Sequence, residues 1–213
     1  MITSDFFECV DFLKSRFQQP LPGPEAHKKL SPPHRTIPDI ATLTGHRNSS
    51  VMLLLQNKNN IPNLIFIERA DDGHVHSGQI ALPGGKVEQH DKDLLATALR
   101  ETKEEIGIDA KEINVLGKLS PLYIPPSNFL VNPFVGFVTS QILFAHDEKE
   151  VKRILEIPLN DFFKEGVINF SSEHKTHRGI IQAPAYELHG VKIWGATCMI
   201  VTEFLSLFEN RES

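Results

Sequence analysis

A chain of 213 residues with 40% hydrophobic content can bury one substantial core, and two full domains would each be small. The formal net charge of −5 argues against a non-specific nucleic-acid binder, while leaving room for a small phosphorylated ligand held by a metal and a few local cations. No apolar run reaches membrane-spanning length, and Asp5 and Glu8 stand where a secretory leader needs a basic and then an apolar segment. Cys9 and Cys198 form no spaced set, so a cytoplasmic protein with reduced thiols is expected.

Phe6, Val10, Leu13 and Phe17 recur at helical spacing, which predicts a short docking helix from Asp5 to Phe17. Asp5 and Glu8 resemble a capping pair at its start. Prolines at positions 20, 22, 24, 32, 33 and 38 then predict an extended arm, not a helix. Such an arm either wraps the domain or reaches a second subunit, which makes a homodimer one expected partner state. Val51 to Gln56 and Leu64 to Arg69 are apolar runs around Asn57-Lys58-Asn59-Asn60 and predict a β-hairpin or meander. Arg69 ends the second run, directed toward the loop that holds His74 and His76. Neither that pair nor His174 and His177 has the further ligands a zinc site needs.

The stretch from Gly78 to Ile108 organises the chain. Leu82-Pro83-Gly84-Gly85-Lys86 forms a glycine loop in which backbone can approach a ligand, with a positive charge beside it. An amphipathic helix follows, its apolar stripe made by Leu94, Leu95, Ala98, Leu99, Thr102 and Ile106. Asp91 is suited to cap its start and Gly107 its end. Glu101, Glu104 and Glu105 lie at i, i+3 and i+4, so a helix brings their carboxylates to neighbouring positions on one face. Like charges that close suit either a solvated surface or a hard divalent cation, which takes carboxylate and phosphate oxygens.

Beyond the helix, Ile113 to Leu119 and Val131 to Thr139 predict strands, separated by the proline-rich loop Pro121 to Asn128 in which Tyr123 is a candidate stacking residue. Val151 to Pro158, Val167 to Phe170, Ala185 to Leu188 and Val191 to Trp194 predict further strands, the last two joined at His189-Gly190. Thr197 to Phe208 predicts a closing helix with Ile200, Val201, Phe204, Leu205 and Phe208 inward.

The central stretch resembles the Nudix box of pyrophosphohydrolases, G-x5-E-x7-R-E-U-x-E-E-x-G-U with U apolar. Gly85, Arg100-Glu101, Glu104-Glu105 and Gly107-Ile108 match it. Asp91 stands where the first Glu belongs, eight residues instead of seven separate it from Arg100, and Thr102 fills an apolar position. An upstream segment is similar to the L-L-T-x-R-[SA]-x3-R-x3-G-x3-F-P-G-G signature of the coenzyme A pyrophosphatase branch. It supplies Arg69-Ala70, Gly78 and Leu82-Pro83-Gly84-Gly85, with His74 in place of the second Arg and Leu82 in place of Phe.

The resemblance implies a Nudix-type α/β/α sandwich with a mixed β-sheet over residues 39–213, preceded by the helix and arm of residues 1–38. It implies metal-dependent cleavage of the diphosphate in coenzyme A or an acyl-CoA. Another nucleoside diphosphate derivative, or a non-catalytic nucleotide-sensing role, is the alternative. Glu101 and Glu105, with Glu104, would hold Mg²⁺ or Mn²⁺, with the Gly85 carbonyl a candidate further ligand. Arg100 would orient a helix carboxylate. Arg69, His74, Gly78, Gly84, Gly85 and Lys86 would meet substrate, and Glu148 or Glu150 would add an acidic group from a later loop.

Overall fold

The computed structural model describes residues 5–33, 35, 37–71, 77–176 and 179–209. Helix α1 spans Phe6–Arg16, and the Asp5 carboxylate accepts from the Phe7 and Glu8 amides as the sequence predicts. It buries Phe6, Cys9, Val10 and Leu13. The following segment corrects the expectation of a helix-free arm, because α2 spans Pro24–Lys29. Pro24 occupies the first turn, where its missing N–H costs nothing, Glu25 lies at the positive end, and Lys28 and Lys29 close the negative end.

Strands β1 (Arg47–Lys58) and β2 (Ile61–Arg69) form a hairpin. Asn59 and Asn60 both adopt positive φ, which gives the tight turn whose twist suits paired strands. The pairing of β1 with β2 runs only from Lys58↔Ile61 to Leu55↔Leu64. Beyond it the strands fork. Strand β3 (Ile80–Ala81) pairs with β2, and β4 (Gly84–Lys86) pairs with β1 at Ser49, Ser50 and Val51. The glycine loop is thereby wedged between the two longest early strands, and the Met52 amide bonds the Pro83 carbonyl at 2.8 Å.

Helix α3 spans Leu94–Ile106 and ends at Gly107 with φ 81°, as its sequence predicts. Its N-cap is Asp93, which accepts from the Ala96 amide, and not Asp91. Strand β5 (Asn114–Lys118) and β6 (Leu122–Ile124) pair in succession with β7 (Phe129–Val138). The segment expected as a loop around Tyr123 therefore contains a short strand. β7 runs parallel to β1 over Arg47–Gln56, and β8 (Val151–Pro158) closes the other side of β2 antiparallel, so the eight-stranded sheet is mixed.

A second sheet, β9 (Ile168–Thr176), β10 (Gly179–Leu188) and β11 (Val191–Trp194), extends further than its apolar cores suggest. Helix α4 (Gly195–Ser206) closes the chain and begins two residues before the expected start. Strand alternation sorts the core into two layers. Leu53, Leu55, Leu64, Phe66, Val131 and Val135 face α1 and α4, whereas Met52, Leu54, Ile65, Ile67 and Val138 face Ala98 and Ile106 of α3. The result is the expected α/β/α sandwich, with α3 lying over the fork. Among the described residues, no helix is long and apolar enough to cross a membrane.

Candidate active site

The site is built where α3 passes over the glycine loop. The stripe of Ala98, Thr102 and Ile106 is fully buried, and this anchors the next face of the helix against β4. Glu105 is carried inward with it. Its side chain is 4% exposed, its Oε2 accepts from the Gly84 amide at 2.8 Å, and its Oε1 lies 3.4 Å from Arg69 Nη1. Burial pushes the Glu105 carboxyl up to about 7, against the opposing pull of the Gly84 amide and Arg69. The charges of Glu101 and Glu150 push in the same direction as burial.

Glu101 lies one turn earlier and faces the same loop. A Cβ added at Gly85 would come within 2.3 Å of Glu101 Oε1, so only glycine leaves room for this carboxylate. Burial again raises its pKa, and Arg100 opposes the shift. Glu104 points outward with its side chain 52% exposed.

Arg100 gathers this acidic face. Its Nε and Nη2 make a bidentate pair with Asp91, each bond 3.0 Å, while Nη1 reaches Glu101 at 2.9 Å and Glu104 at 2.8 Å. Nη2 also donates to the Lys86 carbonyl. Asp91 additionally accepts from the Glu88 amide and Thr97 Oγ1. The Arg100 guanidinium holds the Asp91 carboxyl well below the usual carboxylate range, and Asp91 in turn strengthens the guanidinium's hold on its proton. Asp91 is thus the anchor for Arg100, a role sequence reasoning assigned instead to helix capping. Its position nine residues before Arg100 was the available signal, but the intervening chain had to fold back for the two to meet.

Of the other expected site residues, Arg69 points to Glu105 instead of standing free. Lys86 contributes its carbonyl, and its side chain is exposed. Gly78 is a turn residue with φ 68° and, among the described residues, no atom within 4 Å of an added Cβ. His74, His76 and His177 lie outside the described residues. His174 stacks on Trp194 with ring centroids 4.3 Å apart and bonds the Ala183 carbonyl. Tyr123 Oη donates to Asn128. Of the two later-loop acids, Glu150 has a charge that helps raise the Glu105 pKa.

Glu101 and Glu105 offer hard oxygen donors, and both are desolvated in a way that a cation would relieve, so the donor chemistry fits a divalent ion such as Mg²⁺. Among the described residues, no three His, Cys, Asp or Glu side chains converge closely enough to make a ready metal cluster. Arg100 engages Glu101 and Glu104 in their place.

A mixed sheet between helices, forked around a glycine loop beneath an acidic helix, defines an α/β/α sandwich protein with a carboxylate site. The NUDIX domain model matches residues 45–172, and the chain belongs to the Nudix hydrolase family. A protein of Yersinia pestis (strain Pestoides F), named as an uncharacterized Nudix hydrolase NudL, is 39% identical over 144 residues, which is 66% of this chain and 69% of that protein. Among solved structures, a MutT/nudix family protein from Enterococcus faecalis has a TM-score of 0.49 at 19% identity, covering 95% of this chain and 73% of its own. The MutT protein from Methanosarcina mazei Go1 has a TM-score of 0.49 at 17% identity, covering 78% of this chain and 96% of its own.

Proposed function

We propose that the chain is a metal-dependent pyrophosphohydrolase acting on a nucleoside diphosphate derivative, with coenzyme A or an acyl-CoA as the substrate. The comparisons favour the broader statement over any single substrate. The observation that carries hydrolysis is the Glu105–Glu101 pair facing the glycine loop, Glu105 buried with its carboxyl pushed up to about 7 and Glu101 partly buried beside it. Coenzyme A is supported by the upstream signature that places Arg69-Ala70, Gly78 and Leu82-Pro83 ahead of that loop.

Glu101 and Glu105, with Glu104 and the Gly85 carbonyl as further donors, would hold Mg²⁺ or Mn²⁺. Such an ion supplies neutralisation of phosphate charge and a lower pKa for a bound water. Arg100 is a positioning residue, because its bidentate bond to Asp91 fixes the guanidinium that steers Glu101 and Glu104. Arg69, beside Glu105, is a cation suited to turn to a phosphate oxygen. The Gly84–Gly85 backbone provides close approach without side-chain bulk. A carboxylate of this cluster, or Glu150 beside it, would accept the proton of the attacking water. The water oxygen joins one phosphorus, the bridging P–O bond breaks, and the bridging oxygen leaves on the other phosphate. The products from coenzyme A would be adenosine 3′,5′-bisphosphate and 4′-phosphopantetheine, or its acyl form.

The second reading, cleavage of ADP-ribose, NADH or a dinucleoside polyphosphate, shares the same centre. A third, nucleotide sensing without catalysis, is disfavoured by the retained glutamate set. Incubation with Mg²⁺ or Mn²⁺ and a panel of CoA, acyl-CoA, ADP-ribose and NADH, with products identified by mass, tests all three. Adenosine 3′,5′-bisphosphate from CoA is expected. Faster cleavage of another panel member overturns the substrate assignment. Free inorganic phosphate as the primary product overturns diphosphate hydrolysis.

A further inference from the structure

Consecutive residues of a strand send their side chains to opposite faces. At the end of β2 this separates Glu68 from Arg69. Arg69 faces α3 and approaches Glu105 at 3.4 Å. By the same alternation Glu68 shares the face of Leu64 and Phe66, and it is 7% exposed.

Two cations from β8 answer the buried Glu68 carboxylate. Lys152 Nζ donates to its Oε1 at 2.7 Å and Arg153 Nε to its Oε2 at 2.5 Å. Burial pushes the Glu68 carboxyl up, and the bonds from Lys152 and Arg153 outweigh that push, so the group stays ionised. In a regular strand, two adjacent side chains point to opposite faces and cannot both reach one carboxylate. They do so here because the pairing slips. Glu68 stands opposite Arg153, Arg69 stands opposite Val151, and Lys152 is the extra residue of a β-bulge.

A bulge bends its strand and re-aims the side chains beside it. The residue beside this one is Arg69. On one side the Arg69 amide bonds the Gln79 carbonyl at 3.0 Å, and on the other the Ala70 amide bonds the Glu150 carbonyl at 2.9 Å, just past the slip. Among the described residues the Arg69 guanidinium makes one hydrogen bond, the long one to Glu105, and its side chain is 38% exposed. A long side chain held that loosely takes its position from its backbone, and the bulge sets that backbone. Lys152 and Arg153 reach Glu68 from solvent, with side chains 58% and 54% exposed, a setting in which cations add little to stability. What the two bonds fix is geometry.

We propose that Glu68, clamped by Lys152 and Arg153, is a positioning residue that locks the β2–β8 bulge and thereby aims Arg69 into the site beside Glu105. This rests on the hydrolase reading only for what Arg69 does there, which is to meet a phosphate oxygen of the substrate.

The test uses Glu68→Gln, which keeps the size and removes the charge. In the full-length chain without metal or substrate, amide hydrogen exchange at Ala70 is expected to speed up about tenfold, the scale of one charge-assisted hydrogen bond. With Mg²⁺, kcat/KM for CoA is expected to fall about tenfold, the scale of a small misplacement of a site group. In an Arg69→Ala background the same substitution is expected to change kcat/KM by less than about twofold, because the residue it aims is gone. Lys58→Ala, which breaks the ion pair to Glu156 farther along β8, is expected to leave both measurements within about twofold of wild type. Unchanged exchange at Ala70 overturns the clamp. An equal loss of kcat/KM with and without Arg69 overturns its action through Arg69, since a general weakening of the fold multiplies with the Arg69 change. If Glu68→Gln does not fold, Lys152→Ala combined with Arg153→Ala removes the clamp from its exposed side and carries the same measurements. A wild type that cleaves no substrate while Ala70 exchange responds removes the hydrolase reading and leaves the clamp standing. Cleavage with unresponsive exchange removes the clamp alone.

Discussion

Two buried glutamates, one on each side of the sheet, show how the same residue serves different ends. Glu203 on α4 is fully buried and saturated. It accepts from the Gly23 amide at 3.1 Å, from the Ser120 amide at 3.2 and 3.1 Å, and meets His27 Nε2 at 2.9 Å. Those bonds join α2, the turn before β6 and α4. Glu105 on α3 is 4% exposed, yet its partners are one amide at 2.8 Å and one guanidinium at 3.4 Å. Burial costs a carboxylate several hydrogen bonds with water, and a structural carboxylate recovers them from the protein. Glu105 recovers only some, and its pKa records the deficit. A saturated buried carboxylate holds segments together, while an under-partnered one beside a glycine loop is available to a ligand.

This contrast is most easily broken at the saturated end. His27→Ala leaves Glu203 buried without its imidazole and is expected to destabilise the fold by about 3–5 kcal/mol. Urea denaturation measures this, and the turnover per folded molecule should remain near wild type. A loss below about 1 kcal/mol would show that the pair contributes little beyond its backbone bonds. At the other end, Glu105→Gln keeps shape and helix propensity but removes the charge. Turnover of CoA should fall on the order of a hundredfold or more, with the melting temperature unchanged or raised. Near-normal turnover would remove Glu105 from the site.

Gly85→Ala sharpens the comparison without replacing a carboxylate. The new Cβ would meet Glu101 Oε1 at 2.3 Å and displace it. Turnover should drop roughly tenfold to a hundredfold, the range expected when a site group is shifted by about 1 Å. Unaltered kinetics would show that Glu101 moves aside harmlessly.

The raised pKa gives a pH test with a definite sign. A carboxyl titrating at about 7 gains its proton as pH falls through neutrality, and a metal must displace that proton. Mn²⁺ binding to the wild type should therefore weaken about tenfold between pH 8 and pH 6, beyond any change in Glu105→Gln. Parallel pH profiles for the two proteins would assign the dependence elsewhere. The smallest effect concerns local structure. Asp93→Ala removes the N-cap of α3 and should cost about 1 kcal/mol, whereas Asp91→Asn, which weakens the Arg100 anchor, should alter turnover more than helix stability.

The sequence was most legible where physics is local. Asn59-Asn60 and His189-Gly190 specify hairpin turns through their tolerance of positive φ. Gly107 ends α3, and the i, i+4 spacing of Glu101 and Glu105 puts both carboxylates toward one loop. Proline counting failed at α2, because Pro24 begins a helix as readily as it interrupts one. Capping logic pointed to Asp91, whereas Asp93 caps α3 and Asp91 is taken up by Arg100, a partner that local spacing did not reveal.

The sequence by itself determined the family resemblance, the acidic helix with its cap at Gly107, and the glycine loop ahead of it. All of these depend on residues close together along the chain. Only the tertiary structure decided the parallel alignment of β1 with β7, the fork that receives the loop, and the Glu203 junction with a partner 176 residues away. It also decided which glutamate is buried and which is exposed. Desolvation and charge pairing are sums over atoms supplied by distant segments, and no local spacing contains that sum.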